Sequence, residues 1–269
     1  MDRIENIKRV IGYLLAGKDF GRQIPSSLID CQRLMRAGMN VWSDESIQAC
    51  LEGRGATNED EVNVWEPKPV SQDILDAQDA ELTLQRQDKG VVSIEGQGLQ
   101  LWQGDITRLK VDAIVNAANA QALGCWSPLH NCIDNFIHSA AGIQLRKECA
   151  DIMQGRLLDT GKAFITQGYN LPARHVIHTV GPIIESGSPS DEQQEHLAQC
   201  YRSCLDLAER NGLESIAFCC ISTGVFHFPN ELAARIAVQT VKAYPRKSVK
   251  TVIFNVFLDK DYDIYSKLL

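Results

Sequence analysis

Apolar residues at the start of the chain recur at three- and four-residue steps, with Ile4, Ile7, Val10, Ile11, Leu14 and Leu15 on one side. That spacing predicts an amphipathic helix ended by Gly17. A similar step over Ile29 to Asn40, carried by Leu34, Met35 and Met39, predicts a second helix, and Glu45 to Glu52 a further turn or two. From Gly53 to Ile94 the sequence turns polar and charged and holds Pro67 and Pro69, so it reads as a linking segment with one short helix. Arg33 and Arg36 read as solvated positions on the second helix.

Beyond Gly96 the texture changes. Short β-branched or apolar runs predict strands at Gly98 to Trp102, Ala113 to Asn116, Lys162 to Thr166, His175 to Val180, Ser215 to Ser222 and Thr251 to Phe257. Helical periodicity lies between and after them, at Ile133 to Met153, Asp191 to Asn211, Asn230 to Tyr244 and Asp261 to Leu268. Alternation of this kind predicts an α/β fold with helices on both faces of a sheet. The chain therefore divides into an N-terminal helical extension and linker, residues 1–94, and an α/β domain, residues 95–269. In open sheets ligands bind beyond the strand carboxyl ends, which singles out the loops after Trp102, Asn116 and Ile221.

Charge and cysteine content narrow the function classes. The 27 Lys+Arg against 34 Asp+Glu give a net charge of −7, which argues against binding nucleic acid through bulk phosphate neutralisation and leaves room for a small anionic ligand. No apolar run approaches the ~20 residues of a membrane span, and the acidic start does not resemble a leader, so the expected location is cytoplasmic. Nine cysteines form an odd set, several in apolar runs, which suits small core residues rather than a disulfide framework.

Motifs with a known mechanism are mostly absent. The stretch Gly155 to Ala163 has one residue too many before Gly161-Lys162, and an alanine where a phosphate loop needs Ser or Thr. Neither a Gly-x-Gly-x-x-Gly after a strand, nor a Gly-x-Ser-x-Gly elbow, nor His-Glu-x-x-His occurs. Three loops remain. Val111 to Ala120 runs from a strand into small residues with two amides, of which Asn119 can hold a ribose hydroxyl without adding charge. Ile221 to Pro229 offers Ser222, Thr223 and Gly224 for a diphosphate and Phe226 for a flat face.

The third loop holds Cys125, His130 and Cys132. Residues two apart on a helix point about 200° away from each other, so His130 and Cys132 converge only in an irregular stretch, which Pro128 supports. Three protein ligands are the usual set of a catalytic zinc. A helix starting near Ile133 would favour thiolate at Cys132. The same spacing also fits two packed cysteines around a polar loop histidine, and both readings stand at this point. His138, His175 and His178 read as satisfied core or edge histidines.

Five segments occur in one order: Gly104 to Thr107, Val115 to Asn119, Ile133 to Gly142, His178 to Pro182 and Ile221 to Pro229. Over about residues 97 to 269 the chain thereby resembles a macrodomain. The resemblance implies a three-layer α/β/α fold with a mixed sheet, binding ADP-ribose. It gives Asp105 and Ile106 the adenine end, Ser222, Thr223, Gly224, Val225 and Phe226 the diphosphate, Asn119 the distal ribose, and Asp134 a water or ribose hydroxyl near the bond to be broken. His227 stands where many macrodomains have glycine, which narrows the mouth of the cleft.

Where hydrolytic macrodomains carry a run of glycines, this chain has Cys125 to Cys132 with a proline. That resembles the zinc-containing macrodomains found with sirtuin-type ADP-ribosyltransferases in microbes, whose ligands match Cys125, His130 and Cys132. The resemblance implies a Zn2+-dependent hydrolase that takes mono-ADP-ribose from modified proteins, at acidic side chains, and releases ADP-ribose. It leaves two other readings: a reader that binds ADP-ribose without turnover, and a deacylase of free O-acetyl-ADP-ribose.

Overall fold

The computed structural model describes residues 3–14, 27–40, 69–127 and 129–269. The further turn expected at Glu45 to Glu52 and the helix end expected at Gly17 lie outside them. A six-stranded sheet forms the centre, with β1 Gly98–Gln103, β2 Ala113–Ala117, β3 Ala163–Gln167, β4 His175–Thr179, β5 Ser215–Phe218 and β6 Thr251–Val256 in the order β1-β6-β5-β2-β4-β3. All neighbours are parallel except β3 and β4, so the sheet is mixed. Every residue of β6 is buried, and four of the five in β2 and in β4. Consecutive side chains point to opposite faces, so both faces are covered and the runs read as continuously apolar.

Helices α4 Ile133–Ala141, α5 Ile143–Met153, α6 Asp191–Arg210, α7 Asn230–Ala243 and α8 Asp259–Ser266 supply the cover. Helix α6 starts at a capping box: Ser190 Oγ accepts from the Gln193 amide, and Gln193 accepts from the Ser190 amide. Buried chains such as Leu145, Ile177, Phe218 and Phe254 join one core, each contributing about 1.5–3 kcal/mol by leaving water.

Two expected elements change shape. The single helix expected over Ile133 to Met153 is broken at Gly142, whose φ of 100° ends α4 and opens α5. A Cβ there would lie 2.5 Å from Gln78 Nε2, so glycine lets the extension approach. Strand β5 stops at Phe218 rather than Ser222, because the chain leaves the sheet there to form a loop at its carboxyl end.

The extension contributes α1 Arg3–Leu14, α2 Leu28–Asn40 and α3 Gln72–Lys89. The linking segment thus carries an 18-residue helix in place of the short one expected. Its apolar periodicity is hidden because Gln78 and Glu81 face inward, both fully buried. Glu81 accepts from Arg3, Gln32 and Gln85, and Gln78 accepts from the Ile143 amide and donates to Gln144. Ile7, Val10, Ile11, Leu34, Met35 and Leu82 form a second small core, which Ile143 of α5 joins. The extension is therefore packed directly onto the helix pair that follows β2.

Candidate active site

Strand β2 lies inside the sheet between β5 and β4, and its carboxyl end feeds the first loop of the site. The Ala118 amide donates to Thr179 O at 2.9 Å, which ties that loop to β4. Asn119 then spans its own turn: Oδ1 accepts from the Ala122 amide, and Nδ2 donates to Gly124 O, both at 3.0 Å. A ribose would therefore exchange these bonds rather than meet an idle amide. Gly124 has φ of 87°, and a Cβ on it would lie 2.9 Å from Arg146 Nη2, so the chain can pass this close to the buried guanidinium only as glycine.

Cys125, His130 and Cys132 converge, with their donor atoms all within 4.8 Å of one another. Cys125 Sγ lies 3.5 Å from His130 Nδ1. Sulfur and nitrogen ligands at their usual distances from a tetrahedral zinc are about 3.5 Å apart, so the donor set and its spacing fit that ion. Cys132 caps α4, its sulfur accepting from the Asn135 amide at 3.5 Å. A hydrogen bond from the neighbouring Cys132 thiol lowers the Cys125 pKa, against the effect of burial. That hydrogen bond favours the thiolate form of Cys125, the form a metal site requires.

Asp134 follows in the first turn of α4, buried at 5% exposure. Burial pushes its pKa up to about 7, against a hydrogen bond from Asn116, and the charge of Cys125 adds to the rise. Asn116 Nδ2 donates to Asp134 Oδ1 at 2.7 Å and to His178 Nδ1 at 3.2 Å. His178 therefore carries its proton on Nε2 and donates to Thr166 Oγ1 at 3.0 Å. The register sets this up by placing Asn116 opposite His178. His178 is a satisfied core histidine, as expected, with its pKa lowered by burial to about 3.

His138 departs from that expectation. It is buried with neither ring nitrogen hydrogen-bonded. Burial, Arg146 and His178 hold its pKa well below the usual range, so its 3.5 Å approach to Asp134 is no ion pair at neutral pH. The charge facing Asp134 is Arg146, fully buried and lowered to about 10 by burial but still protonated at neutral pH. Its guanidinium lies 5.0 Å from the Trp126 ring centroid. Arg146 carried no sequence signal, because one arginine in a polar helical pattern reads as a surface residue.

At the other end of the site Asp105 caps the 3₁₀ turn Ile106–Arg108. One oxygen accepts from the Thr107 amide and hydroxyl at 2.9 and 2.6 Å, and the other from Lys89 at 3.2 Å. Burial raises its pKa, but the Thr107 bonds and the Lys89 charge outweigh that and leave it lowered. Ile106 is 1% exposed, and its side chain lies in the core.

The loop after β5 folds on itself through Thr223 N to Cys220 O and His227 N to Gly224 O. Among the described residues the amides of Gly224, Val225 and Phe226 donate to no protein acceptor. Ser222 Oγ is buried without a partner, against Gly181. His227 is exposed with φ of 55°, the conformation that glycine adopts at no steric cost.

The structure thus brings Asn119, Cys125, His130, Cys132 and Asp134 onto one loop and the helix start that follows it, with Asp105 and residues 222–226 on neighbouring loops at the strand carboxyl ends. A cleft of about 460 Å³, lined by Met35, Arg36, Lys89, Leu129 and Phe136, lies on the seam with the extension rather than among these residues.

Comparison with known proteins bears on the family. Residues 115–237 match the family described as Macro domain. A protein-ADP-ribose hydrolase of Staphylococcus aureus (strain MSSA476) is 52% identical over 214 residues, covering 76% of this chain and 80% of its own. A probable bifunctional ADP-ribose hydrolase/ADP-ribosyltransferase of Fusarium oxysporum is 48% identical over 184 residues, covering 64% of this chain but 31% of its own. Among solved structures, a Trypanosoma brucei macrodomain in complex with ADP-ribose is 33% identical with a TM-score of 0.59, covering 74% of this chain and 91% of that one. By sheet order, loop chemistry and relatives alike, this chain belongs to the macrodomain family.

Proposed function

We propose that the protein is a zinc-dependent hydrolase that removes mono-ADP-ribose from modified proteins, with linkage through an acidic side chain as its substrate. The observation that carries this reading is the junction at Cys132. Three metal donors within 4.8 Å of one another end on the residue that caps α4, and the first turn of that helix holds a buried carboxyl. The hydrolase name of the Staphylococcus relative supports it. A sirtuin-type ADP-ribosyltransferase is the proposed functional partner, consistent with the Fusarium relative, whose name joins both activities in a longer chain.

In this reading Asp105 receives the exocyclic amine of adenine, and the Ile106 backbone borders the ring. The amides of Gly224, Val225 and Phe226, with Ser222 and Thr223, wrap the diphosphate; such donors favour anions without a full cation. Asn119 exchanges its turn bonds for the distal ribose. Asp134, with a pKa of about 7, takes a proton from water, directly or through a ribose hydroxyl, as the water oxygen replaces the side-chain carboxylate on the ribose carbon. The carboxylate leaves as the anion and the proton passes to solvent. Asn116 keeps its Oδ1 in place. Cys125, His130 and Cys132 would hold zinc, which when bound supplies Lewis acidity beside the scissile linkage.

The test is release of ADP-ribose from an aspartyl- or glutamyl-modified protein, run beside ADP-ribose titrations. Hydrolysis predicts free ADP-ribose and unmodified protein. Tight binding with no release from any linkage, zinc present, makes the protein a reader instead.

A further inference from the structure

The sequence assigns the N-terminal extension no chemistry, yet one of its side chains touches the frame of the metal loop. Arg36 of α2 donates through Nε and Nη2 to Asn135 Oδ1, at 3.1 and 2.9 Å. Its guanidinium carbon also stands 4.3 Å from the centroid of the Phe136 ring. Asn135 is completely buried. Its other amide atom, Nδ2, donates to Ser127 O at 3.1 Å, and its backbone amide donates to Cys132 Sγ at 3.5 Å.

Ser127 O is a shared anchor. It also accepts from the His130 amide at 3.3 Å, and Cys125 Sγ lies 3.7 Å from it. One buried amide thus connects Arg36 to the segments carrying all three donors. The chemistry fixes its direction: a guanidinium has donors only, so it holds the Asn135 oxygen toward α2 and leaves the NH₂ for Ser127. A fork with two N–H groups on one oxygen and a stacked face is also more rigid than a single ammonium. The guanidinium further places a positive charge on the side of the loop where two thiolates must form.

We propose that Arg36 is a positioning residue for the metal loop, acting through Asn135, so that the N-terminal extension sets how tightly Cys125, His130 and Cys132 hold zinc. This rests on the zinc reading above. Partners that orient metal ligands from behind are typically worth about 10–100-fold in metal affinity.

The experiment measures the zinc dissociation constant of the full chain by competition with a chromophoric chelator. It compares wild type with Arg36→Met, Arg36→Lys, Asn135→Ala and the Arg36→Met/Asn135→Ala double variant. Arg36→Met is expected to weaken zinc about 10–100-fold, and Arg36→Lys, which keeps the charge and much of the packing, to weaken it less. If the arginine acts through the amide, Arg36→Met adds little once Asn135 is gone, which a general loss of packing would not produce. Unchanged zinc affinity in both Arg36 variants overturns the inference while leaving the zinc reading intact. An equal loss with and without Asn135 overturns the route through the amide. A wild type that binds no zinc removes both this inference and the zinc reading.

Discussion

The domain holds two histidine–cysteine triplets of similar compactness and opposite character. In each, Cys125/His130/Cys132 and His138/Cys149/His178, the donor atoms all lie within 4.8 Å of one another. The first is half-buried on a loop that ends at a helix start, and the Cys132 thiol lowers the pKa of Cys125. The second is fully buried. Desolvation, aided by the charge of Asp134, drives the Cys149 thiol well above its usual range, and Arg146 is close enough to depress His138. Thr166 already occupies His178 Nε2. Proximity of ligand atoms is therefore a poor guide to metal binding. What separates the triplets is the cost of making a thiolate: half-buried Cys125 is favoured as thiolate by the hydrogen bond from Cys132, whereas fully buried Cys149 carries a desolvation cost that the nearby Arg146 charge offsets only in part.

Metal content should show the contrast most sharply. Elemental analysis is expected to find about one zinc per chain in the wild type and nearly none in Cys125→Ala or Cys132→Ala, while Cys149→Ala keeps its zinc. Retention in both loop variants, or loss in Cys149→Ala, would reverse the assignment of the two triplets.

Next in size is turnover. Asp134 sits between the triplets, and a group acting on a proton in the transition state is worth roughly 10² to 10⁴-fold. Asp134→Ala should lose rate on that scale while ADP-ribose affinity changes much less; parallel losses in both would make Asp134 a binding residue.

The buried side is also open to a pH test. The pKa of Asp134 is raised by burial to about 7 in the folded protein, against about 3.9 unfolded. The folded state therefore binds more protons between these values, and stability falls as pH rises from about 4 to about 7. Asp134→Asn removes that dependence while keeping an acceptor for Asn116. In chelated protein the variant should gain on the wild type across this window, by no more than about 4 kcal/mol. Urea midpoints with a constant gap at pH 5 and pH 8 would show that the burial is relieved.

The smallest effect is expected farthest from both triplets. Asp105→Ala should weaken ADP-ribose about tenfold or more, since hydrogen bonds to charged groups contribute about 1.5 to 3 kcal/mol. Zinc content should stay unchanged. Calorimetry showing equal affinity would take the adenine role from this carboxylate.

The strands and the convergence of Cys125, His130 and Cys132 were legible in the sequence because they rest on local signals: buried β-branched runs, and a spacing of three donors that a helix cannot bring together. The second triplet was legible only as core. His178 reads as an apolar-strand histidine because its partners, Asn116 and Thr166, lie on other strands. Arg146 was invisible, since nothing in α5 marks one arginine as buried. The length of α3 was hidden for a related reason: the residues it buries, Gln78 and Glu81, are polar and are satisfied by Arg3, Gln32 and Gln144 from distant segments. Arg36, read as a solvated residue, is held by an amide 99 positions away.

The most direct test of a zinc-dependent hydrolase is single-turnover release of ADP-ribose from an aspartyl- or glutamyl-modified protein, with the same preparation zinc-loaded, chelated, and chelated then reloaded. The wild type should slow strongly on chelation and recover with zinc, while Asp134→Ala stays slow when loaded. A chelated, metal-free wild type that releases ADP-ribose at the loaded rate would contradict the assignment of zinc to the reaction.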